Sequence, residues 1–138
     1  MSDGFCVHRY RAEFLELIRT RVDILFANVA EISALYETSF EAACAAVRND
    51  VPLAAITRSE NGSLAITRDR VVEIPAAPVA KVVDTTGAGD LYAAGFLTGL
   101  ARGETLEASG RLASIAAAEV IGHLGARPEV ALEKLAAR

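Results

Sequence analysis

The stretch DTTGAGDLYAAGFLTGL, residues 84–100, constrains this chain more than any other. A glycine-rich turn runs into a segment that is apolar nearly all round. Leu91, Ala94, Phe96, Leu97 and Leu100 leave few positions for water, so a helix from about Asp90 to Ala101 must be buried under other elements. Gly95 and Gly99 share one face of it and leave room for a close neighbour. Gly103 suits its C-terminal cap. Asp90, where that helix begins, has two readings. Either it caps the helix, or it acts on something that the glycines hold.

The covering elements are readable on both sides. VHRYRAEFLELIRTR reads as an amphipathic helix with Tyr10, Phe14, Leu17 and Ile18 on one face. VDILFAN predicts a buried strand over residues 22–27, with Asn28 at its exit. VAEISALY and SFEAACAAVRN predict two helices, the second capped by Ser39. VPLAAIT is a second buried strand, and SLAIT with VVEIP predicts a hairpin. Pro75 and Pro78 mark a connector. VAKVV predicts a further strand leading to Asp84. Thr105 begins a helix that runs to about Gly122, and Pro128 opens a last one to about Ala137. Strands and helices interleave, so the class is α/β, with helices covering a sheet.

Composition removes several alternatives. The chain has 138 residues, which fits one domain, and is 52% apolar, too apolar for a disordered chain. Its formal charge is −4, which argues against nucleic acid or an anionic membrane as a partner. The two cysteines, Cys6 and Cys44, match no metal or redox spacing, and buried thiols in a cytoplasmic protein are expected. No leader pattern or spanning apolar run is visible, so neither secretion nor membrane insertion is expected.

The glycine turn lies after an expected strand and before a helix. Helix N-termini present unpaired N–H groups and a partial positive charge. Without side chains, Gly87 and Gly89 let a phosphate approach those groups. Asp90 at the same end suits a proton acceptor for a substrate hydroxyl. Phosphoryl transfer needs that combination of acceptor, base and phosphate. The run is not a Walker A loop, since no Gly-Lys-Ser/Thr follows, and Tyr92 stands where a dinucleotide fingerprint has its third glycine. Taken alone, GAGD is also what a plain turn and cap look like.

DTTGAGD with LYAAGFLTGL resembles the C-terminal signature of the ribokinase-like, or PfkB, carbohydrate and nucleoside kinases. NVAE (Asn28–Glu31) resembles that family's Asn-x-x-Glu motif. TRSENG (Thr57–Gly62) resembles the strand-end loop bordering the nucleotide, and GARP (Gly125–Pro128) the segment closing the adenine pocket. The wording of SDGFCVHRYRAEFLELI and VDILFAN is most similar to the adenosine-kinase-like bacterial members. The resemblance implies a three-layer α/β/α fold with a mostly parallel sheet, of which residues 1–138 form a single partial domain, the C-terminal, nucleotide-binding half.

It also implies roles. Asp90 matches the catalytic base, and Gly87, Ala88 and Gly89 the anion hole. Asn28, Thr57, Gly62, His123 and Gly125 match nucleotide-binding positions, and Glu31 the residue that organises Mg²⁺ through water. Asp84 and Thr86 match positions near a monovalent cation, K⁺, in some members. The expected donor is ATP and the expected acceptor a hydroxymethyl group of a nucleoside or sugar. Each residue also has a plainer reading. Asn28 and Glu31 suit a helix cap and a solvated side chain, Thr57 and Gly62 a strand end and a turn, and His123 an ordinary surface histidine. Tyr92 and Phe96 belong to the core, and Arg58 is an exposed strand-end arginine.

Full-length members are much longer, and the part without a counterpart here supplies most of the acceptor pocket, the lid and several strands. Ser2–Asp3 looks like a continuation from a strand of that part. Two functions are therefore expected: the ATP and catalytic-base half of a kinase, or a truncated, non-catalytic nucleotide-binding remnant. The open sheet edge at residues 22–27 predicts a homo-oligomer.

Overall fold

The computed structural model describes residues 4–136, so Ser2–Asp3 and Ala137 lie outside the described residues. The elements in order are α1 (Gly4–Arg9), α2 (Arg11–Arg21), β1 (Ile24–Asn28), α3 (Val29–Tyr36), α4 (Phe40–Asp50), β2 (Leu53–Thr57), β3 (Ser63–Thr67), β4 (Val71–Ile74), α5 (Ala88–Ala101), α6 (Leu106–Val120) and α7 (Leu132–Ala136). They form one four-stranded sheet in the order β1-β2-β3-β4. β1 and β2 are parallel, with Ile24 opposite Leu53 and Asn28 opposite Thr57. The short connections after β2 and β3 leave only antiparallel pairing for the remaining neighbours. The sheet is thus mixed rather than mostly parallel over these residues. The chain falls into two compact units, Met1–Arg58 with Leu64–Val72, and Ser59–Ser63 with Glu73–Arg138.

The first unit is built on the β1-α3-α4-β2 crossover. Its core contains Val7, Ile18, Leu25, Ile32, Leu35, Val47 and Ile56. Each such side chain contributes about 1.5–3 kcal/mol by leaving water. Ser39 caps α4 as expected, its hydroxyl accepting from the Ala42 amide. Asp50 ties three helices together: its carboxylate accepts from Arg19 Nε at 3.0 Å and from the Tyr36 hydroxyl at 2.9 Å. Burial, reinforced by that bond, raises the Tyr36 pKa.

The expected single N-terminal helix is instead two, broken at Tyr10 (φ −114°, ψ 30°). The break changes the buried face. Val7, Leu15 and Ile18 are buried, whereas Tyr10 and Leu17 are 46% and 52% exposed.

The second unit centres on α5 packed against α6. Leu91, Tyr92 and Phe96 are buried, so Tyr92 and Phe96 are core residues as expected. The Tyr92 hydroxyl shares a 2.7 Å hydrogen bond with buried Ser63. The two glycines make the close approach: a Cβ on Gly95 would lie 2.7 Å from Ala113 Cα, and one on Gly99 2.6 Å from Ser109 Cα. Leu97 is 45% exposed, so α5 is not buried all round. Gly103 takes φ 75° just past the helix, and Thr105 caps α6 through the Ala108 amide.

Two boundaries differ from expectation. VAKVV is not a strand: Val83 and Asp84 donate their amides to the Ile121 carbonyl at the end of α6, and Val82 is 56% exposed. An extended segment whose amides meet a helix end has no ladder to join. The last helix begins at Leu132 rather than Pro128, because the Glu129 and Val130 amides bond to the Glu119 side chain.

Candidate functional site

In the first unit, the parallel pairing of β1 and β2 sets Asn28 beside Thr57 at the carboxyl ends of both strands. Ligands of open α/β sheets bind at that end. Asn28 is also the N-cap of α3. Its Oδ1 accepts from the Glu31 amide at 2.8 Å, while its own amide donates to Glu31 Oε2 at 2.9 Å. Asn-x-x-Glu is therefore a reciprocal capping box. Glu31 is only 5% exposed, not the solvated side chain of the plainer reading. With one oxygen held by a backbone amide, a single carboxylate fits an indirect, water-borne contact to Mg²⁺. Thr57 Oγ1 points back to the Ala27 carbonyl at 3.5 Å, and Arg58 is half-buried rather than exposed.

In the second unit, Gly87 is the N-cap of α5, with φ 82° in the left-handed region. A Cβ there would lie 2.8 Å from Ala126 Cβ, so the backbone needs glycine twice over. Gly89 has nothing within 4 Å of its Cβ direction, and the space over the first turn is open. Asp90 stands in that same turn. No side chain caps α5, which removes the reading of Asp90 as a cap. Asp90 is exposed.

Asp84 organises the approach to this turn. Its Oδ1 accepts from the Thr86 amide at 2.9 Å and its Oδ2 from the Gly125 amide at 3.0 Å. The Thr86 hydroxyl and amide, then the Gly125 amide, lower its pKa to about 2. Both oxygens of Asp84 thus accept from amides of the chain itself. Gly125, at φ 91°, makes the reversal that brings its amide to Asp84.

His123 is engaged within the chain as well. Nδ1 lies 3.3 Å from the Leu124 carbonyl, and Nε2 lies 3.3 Å from Glu119 Oε1, an ionic approach rather than an aligned hydrogen bond. The Leu124 carbonyl raises its pKa, helped by Glu129 and Glu119. Gly62 is buried at φ 78°, tight against the backbone of Ile74 and Ala76, and serves as a structural turn.

Glu119 and Ala126 were not singled out from sequence. The Glu119–His123 spacing of four was the available signal for the first; Ala126 lay within the GARP motif without a role of its own. Among the described residues no group of three or more His, Cys, Asp or Glu could hold a metal ion. No described helix is long and apolar enough to cross a membrane.

Comparison with known proteins identifies the fold and the family. Adenosine kinase from Sinorhizobium meliloti superimposes with a TM-score of 0.96 at 52% identity, over 99% of this chain and 42% of that one. Arabidopsis thaliana ribokinase, solved with ribose and ATP, gives a TM-score of 0.78 at 28% identity, over 88% and 43%. A nucleoside kinase of Methanocaldococcus jannaschii is 35% identical over 114 residues, 82% of this chain and 37% of the relative. The chain thus spans less than half the length of these proteins. Its fold is ribokinase-like α/β. Residues 5–132 match the family model described as pfkB family carbohydrate kinase, and the chain belongs to that family.

Proposed function

We propose that this chain carries the ATP-binding and proton-accepting part of a kinase that phosphorylates a hydroxymethyl group of a nucleoside or sugar, with adenosine-like nucleosides favoured. The observation that carries the proposal is the first turn of α5. Amides of Gly87 and Gly89, an open approach at Gly89 and an uncommitted Asp90 carboxylate share one helix end, while the Ala88 amide of the expected anion hole donates to the Thr85 carbonyl at 3.2 Å. The acceptor hydroxyl gives its proton to Asp90 as its oxygen bonds to the γ-phosphorus. The bond from that phosphorus to the ADP oxygen breaks, and the loop amides take the charge on the phosphoryl oxygens. Mg²⁺ would supply charge neutralisation on the ATP phosphates. Cys6 and Cys44, half-buried rather than buried as expected from sequence, suit as thiols a reducing, cytoplasmic setting.

Calorimetry with Mg-ATP tests the donor site directly. Binding is expected within roughly 1 μM–1 mM, the range of enzyme substrates. Gly89→Ala is expected to weaken it about tenfold or more by filling the approach to the amides, without loss of stability. No binding heat, or equal affinity in the variant, overturns the proposal.

The same reading has two copies of the chain pair through β1, the outermost strand beside β2. Sedimentation at micromolar concentration is expected to show a dimer or larger species. A strict monomer overturns that part alone.

A further inference from the structure

The segment between α6 and α7 is laced to the phosphate-facing end of α5 at several points within the second unit. At its start, the Ile121 carbonyl accepts from the Val83 and Asp84 amides. In its middle, the Gly125 amide donates to Asp84, and Ala126 sits where a Cβ on Gly87 would collide. At its far end, Glu119 Oε1 accepts from the Glu129 amide at 2.8 Å and from the Val130 amide at 3.0 Å.

Glu119 belongs to the last turn of α6, and its side chain is only 12% exposed. Its Oε2 is buried without a hydrogen-bond partner. A buried carboxylate with one orphan oxygen is costly, and a glutamine would accept the same two amides with less desolvation. What glutamine cannot do is attract a protonated His123, whose Nε2 lies 3.3 Å from Glu119 Oε1.

We propose that Glu119 is a positioning residue: by holding the Glu129 and Val130 amides and His123, it keeps residues 122–130 seated on Asp84 and Gly87 and thereby keeps the 86–89 turn in place, with the Gly87 and Gly89 amides aimed at the phosphate. The ligand part rests on the reading of residues 87–89 as the phosphate site. The link has a pH limit. The His123 contribution is complete below 6.5 and is lost as pH rises through its raised pKa. The charged groups facing His123 are Glu119 on α6, Glu129 on the loop and Asp84 ahead of α5.

Amide hydrogen exchange on the ligand-free chain is the deciding test, joined to Mg-ATP titration. Glu119→Ala is expected to speed exchange at Gly125, Glu129 and Val130 and also at Thr86, Ala88 and Gly89, and to weaken Mg-ATP about tenfold. Glu119→Gln is expected to restore slow exchange and to match the affinity of the unaltered chain at pH 8 but not at pH 6, so that the fall in affinity expected of the unaltered chain between those values is absent. Faster exchange confined to residues 122–130, with 86–89 unaffected, overturns the proposal. Should Glu119→Ala fail to fold, Asp84→Asn replaces it, with exchange at both Thr86 and Gly125 as the readout; a change at only one of them overturns the coupling. If the unaltered chain binds no Mg-ATP, the phosphate-site reading fails, while exchange still decides the coupling.

Discussion

Asp90→Asn is expected to lower phosphoryl transfer to adenosine by about 10²–10⁴-fold, the usual worth of a positioned general base. Mg-ATP affinity and unfolding midpoint should stay near those of the unaltered chain, because Asp90 is exposed and caps nothing. Asparagine keeps the shape and removes the proton acceptor, so the loss should fall on turnover rather than on ATP binding. The measurement is radiolabelled phosphate transfer with adenosine, inosine and ribose as acceptors. Equal transfer by the variant would remove Asp90 as base. Mg-ATP binding without transfer to any acceptor by the unaltered chain would favour the other function expected from sequence, a nucleotide-binding module that does no chemistry.

Gly99→Ala is expected to have the largest effect on stability, followed by Gly95→Ala. Alanine gains about 1 kcal/mol of helix propensity over glycine. Against that, the new Cβ would lie 2.6 Å from Ser109 Cα, or 2.7 Å from Ala113 Cα at the other site. Backbone atoms cannot rotate out of the way, so α6 must move off α5 along the whole seam. Overpacking of this kind costs about 1–3 kcal/mol, and a forced helix shift lies at the upper end. The net expectation is a loss of about 1–2 kcal/mol for each variant, read as a lower urea midpoint with an unchanged slope. Gly89→Ala is the control, since nothing lies within 4 Å of its Cβ direction. A midpoint equal to or above that of the unaltered chain would show that the seam is looser than its distances imply.

Much of the fold was legible because local chemistry and tertiary placement agree. Ser39 and Thr105 are caps by residue type and caps in fact. α3 and the β3–β4 hairpin follow their apolar periods and turn residues. Gly95 and Gly99 announced a close seam without naming its partner. What was not legible depends on contacts distant in sequence. VAKVV has strand composition, yet its amides are taken by Ile121, 38 positions after Val83. Tyr10 and Leu17 share an apolar face on paper, but the break at Tyr10 rotates α1 against α2. In the candidate site, the glycine turn was readable because its geometry is local. The capping box was half readable: Asn28 as a cap was foreseen, while the burial of Glu31 was not. Glu119 stayed hidden because a glutamate in a final helical turn looks like any solvated one until the chain folds back over it.

The Asp84–Gly125 bond joins residues separated by 41 positions. During translation at about 5–20 residues per second, the first leaves the ribosome roughly 2–8 s before the second. The α5–α6 hairpin can form in that interval, while the glycine turn waits for its anchor. A nascent chain stalled before residue 125 should therefore hold a paired helical seam and an unfinished anion cradle, and completing that cradle is among the last acts of maturation.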